Sequence, residues 1–140
     1  MKTENNLLSI WLSLTHIQSY INDELERVLQ QKYDMSLKEF YVLYFLSRTE
    51  DKKLRLHQLQ EMVGLSQSAV SRLVGRMEMK DCGALQRNAC EIDRRGIYTQ
   101  ITELGENKLQ SAMETFNEVL QESLRKDHLI LSLKALIKKI

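Results

Sequence analysis

Residues 56–102 constrain the fold most: two short amphipathic segments meet at a glycine, and two β-patterned runs follow around a basic tip. Leu56–Val63 has the apolar spacing of a helix. Gly64 supplies a residue that tolerates positive φ, as a sharp turn requires. Leu65 staples that turn, and Ser66 suits the cap of a second helix running from Gln67 through Met77 to Lys80. Gly83 can end it in the left-handed conformation. Leu85–Cys90 and Ile97–Thr102 then read as strands, joined across Glu91–Gly96 with Asp93, Arg94 and Arg95 at the tip. A helix-turn-helix with an arginine-tipped hairpin suits a nucleic-acid duplex. The helix has the width of a major groove, and the arginines can reach a minor groove.

Helical spacing sorts the second helix of this motif into two faces. Ala69, Val70, Leu73, Val74 and Met77 turn inward, whereas Gln67, Ser68, Ser71, Arg72 and Arg76 turn outward. Gln67 and Ser68 stand at the N-terminal end, which meets base edges in such motifs. Gln pairs in bidentate fashion with adenine and Arg with guanine. Ser66, Lys80 and Arg87 are candidate phosphate contacts. At the tip, Asp93 can hold one arginine and leave the other to project; Arg94 is the expected reader and Arg95 its support. Gly75 is unusual inside a helix and suggests either close approach of another group or simple tolerance.

The rest of the chain reads as helix. It has 140 residues, no proline and five glycines, so long helices are easily built. Apolar residues recur at Leu7, Trp11, Leu14, Ile17, Ile21, Leu25 and Val28. The apolar run at its start lacks the basic flank and cleavage pattern of a signal peptide and continues as a helical stripe. Ser36 and Glu39 have the spacing of a capping box at the head of a helix carrying Phe40, Tyr41, Leu43, Tyr44 and Leu46. Thr49–Lys53 reads as a charged loop. Thr102 can cap a helix with a stripe of Leu109, Met113, Phe116, Leu120 and Leu124, and a last helix carries Leu129, Leu133, Leu136, Ile137 and Ile140. Stripes at both chain ends exceed what the small central unit can cover, so two copies are expected to interlock through them, the alternative being a helical hairpin packed on its own chain. The expected fold class is mainly α with a small β-hairpin: a winged helix-turn-helix flanked by N- and C-terminal dimerisation helices.

Charge supports the same reading locally. The net charge is only +1, but Arg72, Arg76, Lys80, Arg87, Arg94 and Arg95 gather in the middle, whereas residues 1–31 are net acidic. Contact with phosphate follows the local field rather than the sum. No run is long enough to span a membrane. Two cysteines form no disulfide scaffold, so a reducing, cytoplasmic setting is expected.

Gly64–Val74, Met77-Glu78, Asp93–Gly96 and Ile101–Gly105 together resemble the multiple-antibiotic-resistance regulator (MarR) family, with length and layout fitting across essentially the whole chain. The resemblance implies one domain spanning 1–140, with dimerisation helices at 1–31 and 103–140 and a DNA-binding region at 36–102. It implies a homodimer on a pseudo-palindromic operator in double-stranded DNA, with repression often relieved by a small-molecule effector. An effector pocket would lie between the first two helices and the dimerisation helix, where Trp11, His16, Tyr20, Tyr41 and Tyr44 are candidates to line it. Peroxide-sensing relatives use a cysteine in the first helix, and residues 7–31 contain none. Cys82 and Cys90, which flank the first hairpin strand, read as small apolar residues, the alternative being a redox role beside the DNA-reading parts.

No metal site is expected, since His16, His57 and His128 are far apart in sequence. No cofactor or enzymatic activity is expected, because the chain has no phosphate loop, nucleophile elbow or paired carboxylates. The competing reading is a winged-helix module that binds another protein without reading DNA; the outward charges count against it, because interface cores are depleted in charge.

Overall fold

The computed structural model describes residues 2–79, 83–89 and 97–126. Helix α1 spans Lys2–Tyr33 and α2 spans Leu37–Arg48; a short strand β1, Lys53–Arg55, leads into α3, Leu56–Val63. Helix α4 spans Gln67–Met79, strands β2 and β3 span Leu85–Ala89 and Ile97–Ile101, and α5 spans Glu103–Lys126. The last stripe, from Leu129 to Ile140, lies outside the described residues, as do Lys80, Cys82, Cys90 and the tip residues Asp93, Arg94 and Arg95.

The chain divides into two compact units. One comprises residues 1–34 and 114–140. In it Ile21, Leu25 and Leu29 of α1 are buried, and the Tyr33 hydroxyl shares a 2.6 Å hydrogen bond with Thr115 Oγ1. The first half of α1 is different: Leu7, Leu8, Ile10, Trp11 and Leu12 are each more than half exposed.

The other unit comprises residues 35–113. Its core is built by Phe40, Val42, Leu43 and Leu46 of α2, Leu59 and Val63 of α3, and Val70, Leu73, Val74 and Met77 of α4. Helix α2 starts with the capping box that its sequence specifies. Glu39 N donates to Ser36 Oγ at 3.1 Å, and Ser36 N donates to Glu39 Oε1 at 3.3 Å.

The sheet has three antiparallel strands in the order β1-β3-β2. Strand β1 is an addition to the hairpin expected from sequence, which gave Thr49–Lys53 as a loop. It pairs Lys53 with Gln100, Leu54 with Thr99 and Arg55 with Tyr98. Three residues with one apolar side chain carry too little alternation to be legible alone. What defines β1 is its partner. Leu54 is buried, while the Arg55 guanidinium donates to the Tyr98 hydroxyl at 3.2 and 3.3 Å. Lys53 and Arg55 both lie over the Tyr98 ring, at 5.1 and 5.3 Å from its centroid.

The chain leaves the sheet into α5 through a tightly tied corner. Thr102 Oγ1 accepts from Gly105 N at 3.1 Å, capping α5 as its sequence position suggests. The same hydroxyl lies 2.8 Å from the Gly83 carbonyl and 3.0 Å from that of Ala84. Lys52 forms an ion pair with Glu106 beside this corner.

Candidate nucleic-acid interface

The turn that aims α4 is made by backbone geometry first. Gly64 adopts φ +75°, and its N–H and that of Leu65 both donate to the Gln60 carbonyl, at 3.0 and 3.3 Å. This left-handed residue ends α3 and turns the chain. Lys38 of α2 donates from Nζ to the Val63 carbonyl at 3.1 Å, satisfying an acceptor at the end of α3. Ser66 then caps α4: its Oγ accepts from Ala69 N at 3.2 Å and lies 3.4 Å from Ser68 Oγ. The first turn of α4 therefore points its hydroxyls and Gln67 away from the core.

The two faces of α4 separate as helical spacing requires. Val70, Leu73, Val74 and Met77 are buried and Ala69 is half-buried. Ser66, Gln67, Ser68, Arg72 and Arg76 are exposed, and Ser71 is half-buried. Among the described residues, neither Arg72 nor Arg76 has a hydrogen-bond or ion-pair partner. Exposed, unpaired guanidiniums keep their full capacity for phosphate oxygens or base edges. Ser66, Gln67, Ser68 and Ser71 also line one shallow groove with Leu56 of α3. Arg72 and Arg76 line a second groove together with Ser36 and Lys38 at the head of α2.

Lys38 is a cation beside α4 that the sequence reading did not include. It joins Arg72 and Arg76 across an interhelix groove, making a three-cation strip from two elements. Its position two residues after a capping serine was visible in the sequence. Its proximity to α4 was not, because that depends on how α2 crosses the motif.

Arg87 behaves differently from the other arginines of the expected set. Its Nε forms an ion pair with Glu78, and its Nη2 donates to the Ser71 carbonyl at 3.4 Å. Arg87 is thus engaged with α4 itself. Arg94 and Arg95 lie outside the described residues.

The aromatic set expected to line an effector pocket divides between the two units. Trp11, His16 and Tyr20 stand exposed on α1. Tyr41 and Tyr44 are half-buried in the second unit and contact Phe45, with ring centroids at 6.4 and 5.6 Å. Burial pushes the Tyr41 phenol above its ordinary range. Among the described residues, no group of three or more His, Cys, Asp or Glu side chains is arranged to hold a metal ion, and no helix is long and apolar enough to cross a membrane.

A sequence profile described as MarR family matches residues 33–96. Comparison with curated proteins gives no match. Among solved structures, the chain is similar to AbsC, a MarR family transcriptional regulator from Streptomyces coelicolor, at 23% identity and a TM-score of 0.83, covering 94% of this chain and 87% of AbsC. It is similar to Sco3205, a MarR family regulator of the same organism solved in complex with DNA, at 22% identity and a TM-score of 0.82, covering 99% and 86% of the two chains. A mutant MarR from E. coli complexed with operator DNA is 18% identical with a TM-score of 0.78, covering 96% and 95%. The sequence match spans the helix-turn-helix and the first hairpin strand, and the fold agrees beyond it at both ends. The chain thus has the winged helix-turn-helix fold of these MarR family structures, and a MarR family profile matches residues 33–96 of its 140.

Proposed function

We propose that this protein is a sequence-specific, DNA-binding transcriptional regulator that acts as a homodimer on a pseudo-palindromic operator. The observation that carries the reading is the outward face of α4: an exposed Ser66-Gln67-Ser68 head followed by two exposed, unpartnered arginines, Arg72 and Arg76. Gln67 and Ser68 meet base edges in the major groove, and Arg72, Arg76 and Lys38 contact the phosphates that flank it. Arg94, at the hairpin tip, enters the neighbouring minor groove with Arg95 in support. Residues 1–31 and 103–140 supply the dimer contacts and residues 36–102 read DNA. Repression relieved by a small molecule follows the family pattern. Structures of Sco3205 and MarR with DNA support the duplex as partner.

Selection of bound duplexes from a random pool tests the reading. A single enriched motif with two-fold symmetry is expected, its half-sites about one helical turn apart. Binding to that duplex should weaken steeply with salt. Arg72→Ala should lower affinity and reduce the slope of log K against log salt by about one unit. Recovery of no enriched motif, with binding insensitive to salt, would refute it.

A further inference from the structure

We infer that Arg87 is a positioning residue for DNA reading: it clamps the first strand of the hairpin to the recognition helix, and it does not itself contact phosphate. This rests on the DNA-binding reading above. Leu85 and Arg87 are two residues apart on β2 and share a face of the strand. Leu85 is buried in the core, so Arg87 emerges at its rim, over α4. There its guanidinium spans two groups seven residues apart on α4: Nε forms an ion pair with the Glu78 carboxylate and Nη2 donates to the Ser71 carbonyl. Only a forked, planar cation reaches both at once.

The residue beneath it is Gly75. A Cβ there would meet Arg87 Nη2 at 3.7 Å, an ordinary contact distance, so the guanidinium passes over this part of α4 and leaves room for an alanine. Ser71, Gly75 and Glu78 follow one another at helical spacings of four and three, which puts all three on a single stripe of α4. That stripe differs from the one bearing Arg72 and Arg76. Two of the five guanidinium N–H groups are held by α4, which fixes the side chain along the helix surface rather than leaving it to swing out to a phosphate. What it fixes is the offset between β2, which leads to the hairpin tip, and α4, which carries the base-reading side chains. Two elements that must enter adjacent grooves gain specificity when their separation is set beforehand.

The test uses the duplex selected by the wild-type protein and a random-sequence duplex of equal length, with Arg87→Ala, Glu78→Gln and the double variant. Removing either partner should lower the preference for the selected duplex by about tenfold, with the salt slope unchanged. The double variant should be no worse than either single one, since all three lose the same clamp. Arg72→Ala, measured alongside, shows what loss of a phosphate contact does to the slope. If Arg87→Ala lowers the slope by about one unit while Glu78→Gln tightens binding to both duplexes, Arg87 is a phosphate contact and the inference is wrong. Wild-type preference in both single variants also overturns it. A thermal-unfolding cycle over positions 78 and 87 reads the clamp without DNA. No coupling there defeats the clamp even when the DNA reading stands, and coupling with no duplex preference in the wild type defeats the DNA reading.

Discussion

Single residues decide where this chain turns, and two glycines illustrate opposite reasons. Gly105 sits in the first turn of α5, where a Cβ would collide with the Ala84 carbonyl and come within 2.9 Å of Ile101 Cγ1. Both obstacles belong to the corner that Thr102 ties together, and backbone cannot step aside cheaply. Gly105→Ala should cost about 1–3 kcal/mol, the usual penalty of overpacking, read as a lower unfolding midpoint in urea. Gly75, in mid-helix, meets nothing closer than 3.7 Å. Gly75→Ala should add up to about 1 kcal/mol through helix propensity in the same measurement. The sequence alone posed the question at Gly75 without deciding it, because tolerance and close approach look identical in one dimension. Tyr41 carries a different signal. Burial raises its phenol, so the folded state holds the proton that the unfolded chain loses near pH 10. Its contribution is intact below that pH and declines as pH rises from there through the higher folded value. Tyr41→Phe should therefore flatten the fall of stability above about pH 10, measured by denaturant unfolding at stepped pH.

At the scale of elements, what was legible depended on how local the determinants are. Helix starts at Ser36, Ser66 and Thr102 were readable because each cap lies three residues from the N–H it accepts. The two faces of α4 were readable because buried Val70, Leu73, Val74 and Met77 keep a strict helical period. Strand β1 was not, since its identity rests on Tyr98, 43 residues away from Arg55. For the same reason neither the groove that Lys38 shares with Arg72 and Arg76 nor the contacts of Arg87 with Glu78 and Ser71 could be foreseen. Both matters turn on which helix a long cationic side chain meets, and sequence spacing holds no record of that. Strand β1 also offers a direct test of cross-strand anchoring. Tyr98→Phe keeps the ring under Lys53 and Arg55 but removes the hydroxyl that accepts from Arg55. The loss is about 1 kcal/mol for a hydrogen bond to a charged donor at a partly exposed site. Amide exchange at Leu54 and Arg55 should speed up several-fold while α2 and α4 amides keep their protection; uniform acceleration throughout would mean that the hydroxyl supports the whole unit rather than the edge strand.

For the whole molecule, the exposed half of α1 is the feature with no purpose in a single chain. Leu7 and Trp11 are 63% and 66% exposed, and Leu8, Ile10 and Leu12 exceed half. A monomer seldom leaves so continuous an apolar surface to water, because each large side chain so exposed forgoes about 1.5–3 kcal/mol of burial. A second copy of α1 is the partner the proposed homodimer supplies. Replacing Leu8 and Trp11 together by Glu should place two unmatched charges in that contact and shift the protein to monomer in sedimentation equilibrium. The consequence for DNA is larger than the loss of one contact. A dimer presents its second recognition helix at an effective concentration set by the linkage, so a monomer forfeits avidity of about a hundredfold or more on the paired site. On a single half-site, wild type and variant should bind alike, since the outward face of α4 is unaltered. A variant that still sediments as a dimer would locate the contact elsewhere on the chain. A monomer that binds the paired site as tightly as wild type would show that each reading unit acts alone.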